Sequence, residues 1–390
     1  MLLSIALIIL ISLTMAAIFD RLHLPRLIAF LLSGILLGPA LLNLIHPNLL
    51  FNASDLRTIA LVVILIRAGL SLKFSDLKAL GLPALMLAFI PASIEMVAIG
   101  FIAPMFFDIT TLEAFMLGAV IAAVSPAVIV PRMIKLIQEK RGTDKKLPQL
   151  VLAAASVDDV FVIIVFMSLL ESYQRDIELT RFFLSIPLTL LSGLFIGIGI
   201  GWILSLFFKR YHMRDTMKVL IIISLSFLLI SIEEVTRGLL PFSGLIAVLF
   251  LAISIDRFHA RLAERLVHKF EKVWIISEIM LFVLIGALLE FTFVTQYGLW
   301  ILIVLAVALG FRMLAVWLVS FKTQAIRKEK LFLMIAYLPK ATVQAAIGAI
   351  PLSLNMESGP LILTASVLSI LITAPLGAWL IDKTSRKWIN

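Results

Sequence analysis

Runs of about twenty apolar residues, separated by short clusters of charge, recur along the whole chain. A helix of that length crosses the hydrocarbon core of a bilayer, and apolar residues make up 62% of the 390 positions, with a mean hydropathy of +1.13. Charged residues are only 15% of the chain and fall between the runs, so no stretch remains for a separate soluble domain. The sequence therefore predicts an all-α, polytopic membrane protein in which residues 1–390 form a single integral membrane domain.

Thirteen runs meet this length requirement. They lie near residues 2–19, 26–45, 57–72, 82–105, 114–136, 148–170, 182–207, 218–235, 239–255, 273–290, 297–321, 331–353 and 359–381. The first run has neither a basic leader nor a small-residue cleavage site, so we expect a retained span there rather than a signal peptide.

Lysine and arginine are concentrated in alternate loops between these spans. The basic loops contain Arg21 and Arg26, Lys73 and Lys78, residues 132–146, 209–218, 257–272 and 322–330, and the tail with Lys383, Arg386 and Lys387. The opposite loops contain only Arg57, Arg175, Arg181 and Arg237. Because basic loops stay on the cytoplasmic side, we predict an outside N-terminus and a cytoplasmic C-terminus, in the plasma or inner membrane of the cell.

The overall charge of +9 is explained by the same loops, which we expect to face anionic lipid head groups rather than nucleic acid. The chain contains no cysteine, and its five histidines lie in loops or at span ends without the spacing of metal ligands. These features exclude a metalloenzyme, and for a membrane transporter we expect no enzymatic activity and no cofactor.

Five charged residues come to similar depth near the bilayer centre. They are Glu95, Asp158, Asp159, Arg312 and Lys340. A charge at this depth costs at least about 2.5–3.5 kcal/mol, so such side chains face a bundle interior or a water cavity. If all are ionised, three carboxylates and two cations leave a charge of minus one, which a proton or a monovalent cation can balance. The alternative is a satisfied structural network in which Glu278 or Arg67 balances the charge.

Asp158 and Asp159 project about 100° apart around a helix, so one can face a fixed basic partner while the other faces a cavity. We predict Asp159 as the carrier and the pair as a site for Na⁺. A bare carboxylate binds H⁺ or Na⁺ but not both, and competition for one site is sufficient for exchange.

Two spans contain a proline near mid-depth, which removes a helical hydrogen bond and favours a break. Pro126 lies in AVIAAVSPAVIVPRM and Pro339 in LFLMIAYLPKATVQAAIGAIP. These spans are seven apart and so cross the membrane in opposite directions, as inverted repeats do. We predict two discontinuous helices that cross, with Lys340 and the acidic pair neutralising their half-helix ends.

Four segments carry a resemblance to a known family: VSPAVIVPRM, LPQLVLAAASVDDVFVI, LPKATVQAAIGAIP and SILITAPLGAWLI. From RAGLSL in the third span to its end, the chain closely resembles the monovalent cation:proton antiporters, in particular the branch of animal NHA-type sodium/proton exchangers and their bacterial relatives. The resemblance implies about thirteen helices, a core with two crossed unwound helices, and a homodimer working by elevator-like movement. We expect the core bundle to include 57–170 and 297–381, and the dimerisation bundle 1–45 and 182–255.

The resemblance also assigns residues. Asp158 and Asp159 match the family's acidic pair, with the second as principal ion ligand. Arg312 matches a basic residue that is lysine in several bacterial relatives, Lys340 follows the proline of the second broken helix, and Glu95 matches the branch's intramembrane acid.

One departure from the family bears on mechanism, because arginine stays protonated and Arg312 cannot release a proton as a buried lysine can. We therefore expect electroneutral exchange of one cation, Na⁺ or Li⁺, per proton, unless Lys340 titrates during the cycle. We also expect Glu95 to pair with Arg312, and Asp158 with Lys340.

Three residues are candidates for providing neutral oxygen ligands to a dehydrated Na⁺: Ser125, Ser156 and Thr342. Each hydroxyl can equally well bond to the backbone of its own helix.

Three other functions use acidic residues in a membrane. An aspartyl protease needs two aspartates that face each other, which neighbours on one helix cannot do. A cation channel needs a continuous pore rather than opposed broken helices. A sodium- or proton-coupled symporter of an organic anion is the nearest alternative, since half-helix ends and Lys340 can hold a carboxylate, but an acidic pair beside the site argues against an anion.

Overall fold

The computed structural model describes residues 1–72, 80–174, 179–236 and 242–389, with the backbone alone described for 179–190. All regular secondary structure in these ranges is helical, which confirms the predicted fold class. Lys73, Lys78, Arg175 and Arg237, used above to predict orientation, lie outside the described residues, as does the side chain of Arg181.

Seventeen α-helices are described. They are α1 (Leu2–Arg21), α2 (Arg26–Leu37), α3 (Pro47–Phe51), α4 (Ala53–Ser71), α5 (Leu82–Ile102), α6 (Thr111–Ala122), α7 (Pro126–Gln138), α8 (Leu147–Gln174), α9 (Leu179–Arg210), α10 (Asp215–Thr236), α11 (Gly244–Phe258), α12 (Ala260–Ala287), α13 (Phe291–Ser320), α14 (Arg327–Ala336), α15 (Thr342–Ile347), α16 (Ile350–Ser353) and α17 (Gly359–Trp388). A 3₁₀ turn, Ala103–Met105, follows α5.

Eight segments within the described ranges are long and apolar enough to cross a membrane, and the combined α6–α7 segment is one of them. Two shorter apolar segments, Arg26–Leu37 and Thr342–Ser353, fall below that length. The chain is thus a multi-pass membrane protein, whereas the count of thirteen spans stays a prediction.

The chain divides into two compact units. The first unit comprises Met1–Leu56, Lys73–Ile163 and Ile279–Asn390, and the second comprises Arg57–Leu72 and Ile164–Glu278. All five predicted mid-membrane charges belong to the first unit. The predicted bundles differ from this division at 1–45, 57–72 and 164–170, and the roles of a core and a dimerisation bundle stay predictions.

Within the first unit, two glycines permit the close approaches on which the site depends. A Cβ on Gly118 of α6 would lie 2.7 Å from the carbonyl oxygen of Met96, so α6 passes directly beside Glu95 of α5. A Cβ on Gly377 of α17 would lie 2.5 Å from the ring of Pro339. Small residues of this kind are the usual means of close helix packing in membranes.

Candidate functional site

α6 and α7 are the two halves of one interrupted segment. Helical structure stops at Ala122, Ala123 is extended with φ −65° and ψ 143°, and α7 begins at Pro126. Proline suits this position because its missing N–H belongs to a helix start, where no intrahelical partner exists. Residues 123–125, which we call the first break, are all buried.

α14 and α15 form a second interrupted segment. α14 ends at Ala336 and α15 begins at Thr342, and Pro339 lies midway between them. Residues 337–341, which we call the second break, are also buried. Pro126 and Pro339 therefore each lie at a helix interruption.

The two breaks are joined directly by hydrogen bonds. The backbone N–H of Ser125 donates to the carbonyl of Pro339 at 2.8 Å. From α15, the side-chain amide of Gln344 donates to the carbonyls of Ile121 and Ala123 at 3.1 and 2.8 Å. Backbone groups freed by the interruptions thus find protein partners, as non-helical backbone at membrane depth requires.

Four of the five predicted charges form one buried network. Arg312 donates to Oε2 of Glu95 at 2.7 Å and to Oδ2 of Asp158 at 3.2 Å. Lys340 donates to the same Oε2 of Glu95 at 2.6 Å. Each of these four side chains is at most 1% exposed.

This geometry tests the two expected pairings. Glu95 pairs with Arg312 as predicted, but the pairing of Asp158 with Lys340 is wrong. The reason is that Oδ2 of Asp158 is held at the first break by the N–H of Val124 at 2.8 Å, within reach of the guanidinium, while the ammonium of Lys340 reaches Glu95.

Both cations also cap the end of α6. Arg312 and Lys340 each donate to the carbonyl of Ala122, the latter at 3.2 Å. This carbonyl belongs to the negative end of the helix dipole, where a positive charge is stabilising. Arg312 additionally donates to the carbonyl of Tyr337 at 3.1 Å and so connects α13 to the second break.

Asp159 stands apart from this network. Its side chain is 8% exposed, and among the described residues its Oδ1 has no hydrogen-bond partner and its carboxylate no ion pair. Glu95 and Asp158 balance Arg312 and Lys340, so Asp159 contributes the one unbalanced charge of the group. A buried carboxylate in this position requires a proton or a cation.

The family model for "Sodium/hydrogen exchanger, transmembrane" matches residues 6–382. The chain belongs to the sodium/hydrogen exchanger family. It is 30% identical to sodium/hydrogen exchanger 9B2 of Mus musculus, covering 92% of this chain and 67% of that protein. It is 32% identical to exchanger 9B2 of Homo sapiens, covering 92% and 68% of the two chains, and 32% identical to human exchanger 9B1, covering 94% and 73%.

The fold of this family member also matches a solved structure. The sodium proton antiporter MjNhaP1 from Methanocaldococcus jannaschii at pH 8 superposes with a TM-score of 0.83 over 98% of this chain and 97% of that one, at 18% identity. The likeness establishes a shared fold.

The three predicted hydroxyls of this exchanger-family chain differ in their bonding. The hydroxyl of Ser156 donates to the carbonyl of Leu152 in its own helix at 3.0 Å, so it is bonded to the backbone. Thr342 is buried at the start of α15. The Oγ of Ser125, in the first break, is buried and without a partner among the described residues, which leaves it free to bind an ion.

Gln344 is a site residue that sequence reasoning missed. Its side chain is fully buried, and its amide nitrogen donates to the carbonyls of Ile121 in α6 and Ala123 in the first break. Its Oε1 has no partner within the described part of the chain. The only sequence signal is an amide in the apolar run TVQAAI directly after the second break.

Proposed function

We propose that this chain exchanges Na⁺ or Li⁺ for H⁺, and that the carboxylate of Asp159 binds the two ions in turn. The observation that carries the proposal is a buried carboxylate that has no partner within the described part of the chain and belongs next to a network whose own charges cancel. Membership of the sodium/hydrogen exchanger family supports Na⁺ and H⁺ as the exchanged ions.

The chemistry of exchange follows from competition for this carboxylate. Na⁺ and Li⁺ prefer hard oxygen ligands, and Asp159 offers a charged one. The hydroxyl of Ser125 in the first break and the amide oxygen of Gln344 in α15 are the neutral candidates. Protonation removes the charge of Asp159. Transfer of a cation from water into the buried site is then unfavourable, because no carboxylate compensates for its lost hydration.

Arg312 supports electroneutral exchange, because arginine stays protonated in proteins and cannot release a proton during the cycle. One titrating carboxylate then carries one Na⁺ or one H⁺ per half-cycle.

The elevator-like movement and the homodimer remain part of the proposal. Asp159, both breaks and the charge network all belong to the first unit, so a moving bundle can carry the complete site. We assign dimerisation to the bundle that includes 1–45 and 182–255, in contact with membrane lipids, and place the chain in the cell membrane with a cytoplasmic C-terminus.

A symporter of organic anions is not favoured. A substrate carboxylate would need a free cation in the site, and both Arg312 and Lys340 are already held by Glu95 and Asp158. Inserting another anion would displace these carboxylates and leave them buried without partners.

Proteoliposomes with an imposed pH gradient test the proposal. Addition of Na⁺ or Li⁺ should trigger proton movement in the wild type and in the control Asp108→Asn, whose aspartate is exposed in a loop, but not in Asp159→Asn. Persistence of cation-driven proton flux in Asp159→Asn would exclude Asp159 as the carrier, and absence of flux from folded wild type would exclude exchange. Clamping the membrane potential with K⁺ and valinomycin should leave the rate unchanged, whereas a rate that follows the potential would refute electroneutrality.

A further inference from the structure

A strongly basic cavity of about 510 Å³ lies in the second unit. It opens where α9 ends and α10 begins, and the residue after α11 and the first turns of α12 complete its lining. Its charged residues are Lys209, Arg214, Lys218 and Arg265, with Asp215 as the single carboxylate.

The cations of this cavity outnumber their carboxylate partners. Asp215 holds Arg265 at 2.9 Å and Lys218 at 3.4 Å. Lys209 and Arg214 are exposed, and the described residues provide neither with an ion pair. The cavity therefore has a net charge of +3, two units of which come from side chains that lack an anion.

A second basic cavity of equal volume, in the first unit, shows the contrasting arrangement. There Arg132 pairs with Asp382, and both Lys135 and Arg141 pair with Glu139. Most cations of that cavity already have carboxylates. A cluster of surface cations does not by itself imply a ligand, but an excess of unpaired cations around a concave surface does.

The lining of this cavity also contains a histidine, which provides a hydrogen-bonding group in addition to the unpaired cations. Nδ1 of His259 is buried and has no hydrogen-bond partner among the described residues. Burial and the charges of Lys209, Lys218 and Arg265 lower the pKa of this ring, so it is neutral at pH 7 and carries one N–H donor. The cavity thus combines cations with a neutral donor, which suits a phosphate group.

Depth and surroundings indicate the source of that phosphate. The cavity lies between the end of one candidate span, Leu191–Arg210, and the start of the next, Asp215–Thr236, which is the depth of lipid head groups. Phe207 and Tyr211 are exposed beside it with ring centroids 4.9 Å apart, and Leu220 is exposed one turn deeper. Interfacial aromatic and apolar side chains contact glycerol and acyl chains, which a free phosphate does not have.

We propose that this cavity binds the phosphate of an anionic phospholipid head group. Lys209 and Arg214 provide the principal charge, and His259 provides a hydrogen bond. The site is independent of the exchange chemistry assigned to Asp159.

The test uses the purified full-length protein in neutral detergent. Binding of phosphatidylglycerol is compared with phosphatidylcholine by native mass spectrometry and by the shift in thermal unfolding temperature. The variant is Lys209→Gln/Arg214→Gln. Both native side chains are exposed, so we expect the substitutions to leave the fold intact. The matched control is Lys135→Gln/Arg141→Gln in the second basic cavity, where both of these cations pair with Glu139.

We expect phosphatidylglycerol to bind in preference to phosphatidylcholine, and the variant to weaken this binding on the order of thirtyfold, since each of the two cations contributes roughly a factor of five at an anionic surface. The control should bind as the wild type does. Equal phosphatidylglycerol binding by variant and wild type would overturn the proposal. Inorganic phosphate or glycerol 3-phosphate that stabilises the wild type as well as the lipid does would assign the site to a soluble anion instead.

Discussion

Glu95→Gln removes the carboxylate that two buried cations share. Arg312 and Lys340 approach the same Oε2 at 2.7 and 2.6 Å, and neither side chain is more than 1% exposed. After the substitution Asp158 alone faces both cations, and the network changes from neutral to +1. Breaking a buried pair by removing one partner costs about 3–5 kcal/mol, because the remaining charge stays buried without compensation.

A second substitution should restore the balance. Replacing both partners of a buried pair with uncharged groups is often nearly neutral, so Glu95→Gln/Lys340→Met, which retains Arg312 with Asp158, should be more stable than Glu95→Gln alone. The expected coupling energy lies toward the upper end of the range of about 0.5–3 kcal/mol seen for interacting residues. The same charge count applies to transport: Glu95→Gln should weaken Na⁺ binding at Asp159, and the double variant should restore it.

Thermal unfolding of the wild type, Glu95→Gln, Lys340→Met and Glu95→Gln/Lys340→Met in detergent, with the apparent KM for Na⁺ in proteoliposomes, measures both effects. Asp382→Asn serves as the control, because its carboxylate is 46% exposed and its pair with Arg132 contributes about 1 kcal/mol or less. Unfolding of Glu95→Gln at the wild-type temperature, or a double variant whose loss equals the sum of the single losses, would refute the charge balance.

Further predictions concern individual positions. Ser125→Ala should raise the apparent KM for Na⁺ by roughly tenfold, the value of one lost polar contact, whereas Ser156→Ala, whose hydroxyl bonds to its own helix, should leave it unchanged; equal KM values would exclude Ser125 as a ligand. Gly377→Ala should lower both unfolding temperature and transport rate because its Cβ meets the proline ring of the second break, whereas Gly310→Ala, with open space around it, should raise stability by about 0.5–1 kcal/mol. Because the pKa of His259 is lowered by burial in the folded chain, the unfolded chain takes up this proton first, and stability should fall as pH drops below the ordinary value of 6.5; His259→Gln should flatten that part of a pH series of thermal unfolding curves, and an unchanged series would exclude the effect.

Some features of the site are local and were therefore predictable. A proline within an apolar run predicts an interruption whatever the run packs against, and both Pro126 and Pro339 lie at interruptions. Span length similarly predicted that Glu95, Asp158, Arg312 and Lys340 come to one depth, because the rise per residue of a helix converts sequence position into depth.

The ion-pair partner of each charge is distant in sequence and could not be predicted from a local pattern. Glu95 is separated by 217 residues from Arg312 and by 245 from Lys340, and the same set of charges is compatible with several pairings at one depth. The hydrogen bond from Val124 that orients Asp158 exists only because α8 packs on the first break, so the prediction that Asp158 pairs with Lys340 was wrong.

Gln344 illustrates the same limit, since its two acceptors lie more than 220 residues away and its sequence neighbours are ordinary helix formers. In the second unit, the basic loops were predicted from charge alone, but which of their cations lack a carboxylate depends on where Asp215 meets Arg265. Hydropathy, proline and charge along the chain thus determined the membrane class, the interruptions and the chemical character of the site. The tertiary structure decided which carboxylate remains unpaired, because pairing depends on angstrom-scale distances between helices that no local pattern specifies.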